Sequence, residues 1–518
     1  MKKIKYKAIQ YDVSRGRIPK LDTVKERIEF LKPYGLNMLC FYIESPFECN
    51  TFPGVGCGKT PITKSYLKKL QEICQEQNIL FTPIIQILGH QEKLLSLEDW
   101  QHLGEIPPHD KHINGNNFMP CSDEVKTTLF AWLDEILPFT NSPFVHVGCD
   151  EIWSFGKGRC SEIIKRKGPE RVFADYLIAF YEFLRTRGKQ LVFWGDFIVD
   201  YPKTLELIPK DIIIANWGYG TYKETFEHEN HHFAAHSHLA SRGHQMWVCG
   251  NNMAEYICTP FQRLEENTRI WIELGNNYGA NAFLITDWGS YDNVNSYSLS
   301  LLGDMYILLR LKSPKLTQKQ FLEKLSEKVL GYKNTQFIEG MTLMLNTQGN
   351  SAYFPERSIN FCPILPGIML DNPASQCGTS RRFGCYYKKG LDLFLRDMQK
   401  AHTLMQNINI SETAYPEITE DFIMLSNRMT AVALRAQLWY DYVWDTSYRW
   451  PDSQYLKACK KRANIREEYT SRAEADIQWH KRRWHQDSLI TEWHKCSKRL
   501  STAINTIHKI ISKDGTLT

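Results

Sequence analysis

The stretch Ser142–Ser154, SPFVHVGCDEIWS, decides the fold. Val145, Val147 and Cys149 share one parity and His146, Gly148 and Asp150 the other, so an extended chain here has one apolar face and one polar, small-residue face. A closed barrel produces this pattern. The apolar face lies under surrounding helices, while the other points into the barrel and carries an acid where the strand runs out. Asp150 and Glu151 are therefore expected at a barrel mouth. Extended geometry ends past Asp150, so Glu151 need not point away from its neighbour, and the two carboxylates can address different atoms of one substrate. Paired acids so placed point to hydrolysis of a glycosidic bond.

Outward from this strand, β-rich runs alternate with amphipathic segments over the first three hundred residues. Strands are predicted at Tyr6–Val13, Asn37–Glu44, Ile79–Leu88, Gln190–Gly195, Asp211–Trp217, Gln245–Cys249 and Ala280–Thr286. Helices are predicted at Leu21–Lys32, Lys64–Gln77, Glu124–Leu137, Phe173–Arg187, Phe261–Leu274 and Ser298–Leu311. Eight βα units predict an α/β fold, a (β/α)8 TIM barrel over residues 1–312. GVGCGKT at 54–60 lacks the GxxxxGK[ST] spacing of a phosphate-binding loop and reads as an ordinary loop. From Leu316 the pattern changes to long helices, Gln318–Leu330, Lys388–Asn407, Glu420–Trp444, Ser453–Trp479 and Asp487–Ser512, so residues 313–518 are expected to form a mainly α-helical C-terminal domain. Charged residues of KKRANIREEYTSR at 460–472 suit a solvated face, and the Trp residues near 479–493 a core seam; a homodimer interface is the competing expectation for that surface.

Composition narrows the function. A chain of 518 residues with 43% hydrophobic and 13% aromatic content can bury a large core, and 14 Trp with 25 Tyr suit sugar-stacking walls. A net charge of +5, without a basic run interleaved with aromatics, argues against nucleic acid. No stretch approaches the ~18 apolar residues of a membrane span. The N-terminus MKKIKYKAIQYDV lacks the apolar region of a signal peptide, and the 14 cysteines form no CxxC pair, so free thiols in a reducing, cytoplasmic compartment are expected.

The predicted strand ends converge in chemistry. They are Asp12 and Arg15, Glu44, Gly89 and His90, Asp150 and Glu151, Trp194 and Asp196, Trp217 and Tyr219, Asn251 and Asn252, and finally Asp287, Trp288 and Asp292. Any one of these has a structural reading: a lone barrel Trp is usually core, and Arg15 can pair with Asp12. Eight strand ends without an apolar terminus instead predict a polar, aromatic-walled pocket on one face. His228, His231, His232, His236 and His238 invite a metal reading, but helical histidines without a motif such as HExxH are usually solvated, and neither metal nor cofactor is expected.

DVSRGRIP at 12–19, IQILGHQEKLL at 85–95, HVGCDEIWSFGKG at 146–158 and FWGD at 193–196 together resemble glycoside hydrolase family 20, the β-N-acetylhexosaminidases, and most closely its intracellular, hexosaminidase D-like branch. The resemblance covers residues 1 to about 312. It implies an exo-acting enzyme that removes terminal N-acetylglucosamine or N-acetylgalactosamine from small or oligomeric substrates, with retained configuration. The substrate's own acetamido oxygen acts as the nucleophile. The resemblance makes Glu151 the general acid and Asp150 the carboxylate that orients the acetamido N–H. It also places Arg15 on the C3 and C4 hydroxyls, Trp194, Trp217 and Trp288 in the pocket wall, and His90 and His146 behind the acids, with Glu44 among the residues facing the sugar. The chain departs from the family after strand eight, where Asp287-Trp288-Gly289 and then Tyr291-Asp292 replace Trp-x-Glu, so Asp292 is taken as the acid for C4 or C6. Tyr219 is the candidate for the tyrosine on the acetamido oxygen, with Tyr256 and Tyr291 as rivals. The competing readings are a non-catalytic sugar-binding barrel and a metal-dependent TIM-barrel hydrolase using His90, His146 and Asp150.

Overall fold

The computed structural model describes residues 4–14, 18–44, 47–53, 62–107, 115–221, 227–254, 259–289, 296–347, 388–444 and 452–484. Eight strands, β1 Tyr6–Asp12, β2 Met38–Ile43, β3 Leu80–Ile85, β4 Phe144–His146, β5 Gln190–Trp194, β6 Ile213–Trp217, β7 Gln245–Asn251 and β8 Ala282–Thr286, close into a barrel in chain order. All neighbours are parallel, and β8 returns to β1 with Tyr6 opposite Ala282. Parallel neighbours need crossovers, and helices supply them. Thr63 caps the helix Lys64–Glu76 by accepting the Tyr66 amide, and Ser122 caps Asp123–Ile136 through the Val125 amide. Within Lys64–Glu76, Leu67, Leu70 and Cys74 recur at helical spacing and are the buried residues of that helix.

Inward-facing Met38, Cys40, Phe144, Val192, Trp247 and Leu284 form one buried cluster that fills the barrel. Phe144 meets Tyr6 and Trp247 edge to face, at ring-centroid distances of 5.1 and 5.3 Å. The apolar filling lies at the N-terminal ends of the strands and leaves their C-terminal ends for polar groups.

The main difference from the sequence-based expectation lies in β4. Extended geometry was predicted as far as Asp150, but the strand ends at His146 because Gly148 and Cys149 take φ of +66° and +74°. At Gly148 an added Cβ would stand 1.9 Å from Gln86 Oε1, so only glycine fits this left-handed position. At Gly89 an added Cβ would stand 2.2 Å from the Asp150 carbonyl oxygen, so the backbones following β3 and β4 pack directly on one another.

Asp287, at the end of β8, is not a free sugar-site acid. Its Oδ2 accepts from Arg27 Nη2 at 2.8 Å, both side chains are buried, and the guanidinium also lies over the Tyr11 ring at 4.3 Å. Breaking a buried pair leaves a charge without its counterion, at a cost of about 3–5 kcal/mol. Arg27→Met is expected to destabilise the protein by that amount in denaturant titration; a loss below about 1 kcal/mol would mean that Asp287 does not depend on Arg27.

The chain forms two compact units, Met1–Asn252 with Glu265–Trp288 and Ile307–Pro314, and Met253–Leu264 with Gly289–Tyr306 and Lys315–Thr518. In the second unit the helices Gln318–Leu330, Thr335–Leu345, Lys388–Gln406, Pro416–Trp444 and Asp452–His480 dominate. Two buried ion pairs tie its last helices together, Arg428–Asp476 at 2.9 Å and Arg483–Asp421 at 2.6 Å, and Trp479 Nε1 donates to Asp421 Oδ1 at 2.6 Å. Trp484 is buried, in keeping with the core-seam reading. The segment Asp487–Ser512 lies outside the described residues. No described helix is long and apolar enough to cross a membrane.

Candidate active site

Four strand ends build the acid cluster. β4 delivers Asp150 and Glu151, β3 delivers Gln86 and His90, β2 delivers Tyr42 and Glu44, and β5 delivers Asp196. His90 sits at the centre, with Nε2 3.3 Å from both Asp150 Oδ2 and Glu151 Oε2 and Nδ1 3.9 Å from Glu44 Oε1. Burial alone would depress this imidazole, but the negative charges of Asp150, Glu44 and Glu151 outweigh it and raise the pKa to about 10. His90 is therefore an imidazolium that bridges the two acids.

The acids differ in environment. The Asp150 side chain is 9% exposed and that of Glu151 38%. Burial would raise Asp150, but charged His90 and the Gln86 Nε2 bond to Oδ1, at 2.5 Å, hold its carboxyl below the ordinary range. Gln86 is itself fixed: Nε2 also reaches the Tyr42 hydroxyl at 2.9 Å, and Oε1 accepts the Cys149 amide at 3.0 Å. Asp150 is thus a preorganised carboxylate, while Glu151 reaches solvent. Glu44 is anchored behind them. Its Oε1 accepts from the Tyr42 hydroxyl at 3.2 Å, Lys93 Nζ lies 3.3 Å from Oε2, and its amide donates to Ser14 Oγ at 2.6 Å.

A wall of rings borders the acids. Tyr42 and Trp288 meet edge to face at 4.7 Å, Trp194 lies 6.3 Å from Trp288, and Tyr219 stacks on Trp217 at 5.2 Å while standing 6.3 Å from Trp288. Trp194, Trp217, Tyr219 and Trp288 are thereby brought together as one surface. Trp153 extends the aromatic character outward: it is 56% exposed and stands 6.2 Å from the His90 ring.

His146 does something other than orient the acids. Its Nδ1 accepts the Gly148 amide at 3.0 Å, its ring packs on Trp194 at 4.3 Å, and burial lowers its pKa to about 3. A neutral ring results, which supports the turn and a pocket tryptophan and makes no hydrogen bond to Asp150 or Glu151. The helical histidines also depart from expectation. His232 and His236 are buried, with Asn216 at 3.4 Å from His232 Nδ1 and 3.2 Å from His236 Nδ1, whereas His238 is exposed; the side chains of His228 and His231 are outside the described ones. Among the described residues no group of three or more His, Cys, Asp or Glu is placed to hold a metal ion. Arg15, Asp292 and the rival tyrosines Tyr256 and Tyr291 lie outside the described residues.

Sequence reasoning did not single out Gln86, Tyr42 or Trp153. Gln86 falls on the inward parity of Thr82 and Ile84, and a polar residue there, at the end of an apolar strand, is the signal that could have found it. Trp153 follows Glu151 by two positions, but nothing in a sequence distinguishes an exposed Trp from a buried one.

Residues 57–292 match the sequence profile of glycosyl hydrolase family 20, catalytic domain. Hexosaminidase D of Bos taurus is 21% identical over 295 residues, which cover 54% of this chain and 83% of that protein. Hexosaminidase D of Homo sapiens is 24% identical over 148 residues, 28% of this chain and 29% of its own length. The crystal structure of a β-N-acetylhexosaminidase from Bacteroides fragilis superposes with a TM-score of 0.45 at 19% identity, over 58% of this chain and 66% of that one.

Proposed function

We propose that the barrel, whose residues 57–292 match the glycosyl hydrolase family 20 catalytic domain, is that of an exo-acting β-N-acetylhexosaminidase working by substrate-assisted, retaining catalysis. One observation carries the mechanism: consecutive acids stand in opposite environments, a buried, hydrogen-bonded carboxylate at Asp150 and a solvent-facing carboxyl at Glu151, joined by one imidazolium. Glu151 gives its proton to the glycosidic oxygen as the C1–O bond breaks, and the 2-acetamido carbonyl oxygen attacks C1 from the other face. Asp150 accepts the acetamido N–H and offsets the positive charge of the oxazolinium that forms. Glu151, now a carboxylate, removes a proton from the water that attacks C1, so two inversions give retention. Trp194, Trp217 and Trp288 enclose the sugar, Tyr219 points its hydroxyl at the acetamido group, and Glu44 keeps His90 charged between the acids. Arg15 binds sugar hydroxyls on the strength of its motif, and Asp292 is the acid taken for C4 or C6 where the chain departs from the family pattern.

The substrate is a terminal, non-reducing β-linked N-acetylhexosamine on a small or oligomeric aglycone. The seven described cysteines are free, which supports a reducing, cytoplasmic setting. Aryl β-glycosides that differ only at C2 test the reading. The 2-acetamido compounds are expected to be hydrolysed and the 2-hydroxy compounds not measurably, because the latter lack the internal nucleophile; comparable rates on both would defeat the mechanism.

A further inference from the structure

The backbone of Glu151 is fixed on both sides, at its amide and at its carbonyl. Its φ is +48°, a left-handed conformation that is strained for a non-glycine residue and persists only where neighbours impose it. Asp196 Oδ2 accepts the Glu151 amide at 2.8 Å. On the other side of the residue, the Glu151 carbonyl accepts from Asn116 Nδ2 at 2.6 Å and from the Trp153 amide at 2.8 Å. The second Asp196 oxygen, Oδ1, is buried and makes no hydrogen bond.

We propose that Asp196 is a positioning residue for the acid: its carboxyl pins the Glu151 amide, and with Asn116 it fixes the left-handed turn that aims the Glu151 side chain at the leaving-group oxygen. This rests on the assignment of Glu151 as the proton donor. Three features support the choice of Asp196. It stands two residues after Trp194, whose amide donates to the Gly148 carbonyl at 2.9 Å, so one short segment ties the pocket wall to the turn before the acids. Its only contribution to that turn is an acceptor oxygen, which a neutral carboxyl supplies as well as an ionised one. Burial first, and then the negative charges of Asp150 and Glu151, raise Asp196 well above the usual carboxylate range, which favours the neutral form beside the two acids.

The prediction separates aiming from mere stability. A misaimed acid slows departure of basic leaving groups far more than of acidic ones, which need no proton. Asp196→Ala should therefore lose ~10- to 100-fold in kcat/KM on alkyl or sugar aglycones, the scale of an ångström-sized misplacement, and no more than about threefold on a 2,4-dinitrophenyl glycoside. Asp196→Asn retains an acceptor for the amide and should remain within about threefold of wild type on both. Asn116→Ala, which releases the other side of the same residue, should repeat the leaving-group signature and serves if Asp196→Ala does not fold. Equal losses on acidic and basic aglycones, or an Asp196→Asn variant as impaired as Asp196→Ala, would overturn the proposal while leaving the glycosidase reading intact. Wild type inactive on every 2-acetamido glycoside would overturn both.

Discussion

Glu151→Gln is expected to cut turnover ~100- to 10,000-fold on substrates with poor leaving groups and far less on activated aryl glycosides, because general-acid assistance has that worth and matters least when the departing oxygen is already acidic. The amide cannot donate an acidic proton, yet its shape preserves the contact with His90 Nε2, 3.3 Å away in the wild type. Steady-state rates across a series of phenol leaving groups provide the check: a steep dependence in the variant and a shallow one in wild type. Equal losses along the series would remove Glu151 from the role of proton donor.

Asp150→Asn is expected to lower turnover of 2-acetamido substrates by ~100- to 1,000-fold, the effect of losing one preorganised electrostatic partner of the developing positive charge. A stable oxazoline mimic with a cationic nitrogen should bind wild type tightly and the variant poorly. Two further signs follow from the geometry. On the proposed mechanism the acetamido oxygen is the nucleophile, so a covalent glycosyl ester on Asp150 should not be trapped; its detection by mass spectrometry would reverse the assignment. The His90 imidazole, now raised to about 10 chiefly by Asp150 against the opposing pull of burial, should titrate lower in the variant by NMR. Its folded value lies above the unfolded one, so the stability it contributes is fully present below about 6.5 and is lost as the pH climbs through about 10. In the variant that loss should be smaller and complete at lower pH, because only the folded value falls.

The barrel was legible because its signal is periodic. Short apolar runs such as Met38–Ile43, buried on both faces, alternate with helical segments such as the one that spaces Leu67, Leu70 and Cys74, so errors of one or two residues at the ends do not alter the count. The resemblance to known motifs located the acids and the ring wall of Trp194, Trp217 and Trp288. What stayed hidden was the turn. Cys149 and Glu151 hold positive φ, which no residue preference announces, and the reason is tertiary: Gly89 lets one backbone press against the Asp150 carbonyl. His146 was misread for a related reason. Its inward parity was correct, but parity does not say that the nearby Gly148 amide would occupy its Nδ1. The histidines of the helix Glu227–Ser241 were unreadable because that segment has no apolar stripe to mark which side faces the barrel.

The left-handed pair at Cys149 and Glu151 also bears on how this protein can be improved. Conformational cost stored at the two positions that flank Asp150 is stability forgone for aim, so a stabilisation campaign guided by backbone strain alone would favour glycine at 149. Such a variant would relieve the left-handed φ and yet let the peptide wander between Gly148 and Asp150, where an accurate angle matters more than a low energy. Thermostable descendants of this scaffold are better sought among its surface helices, with residues 148–151 held constant.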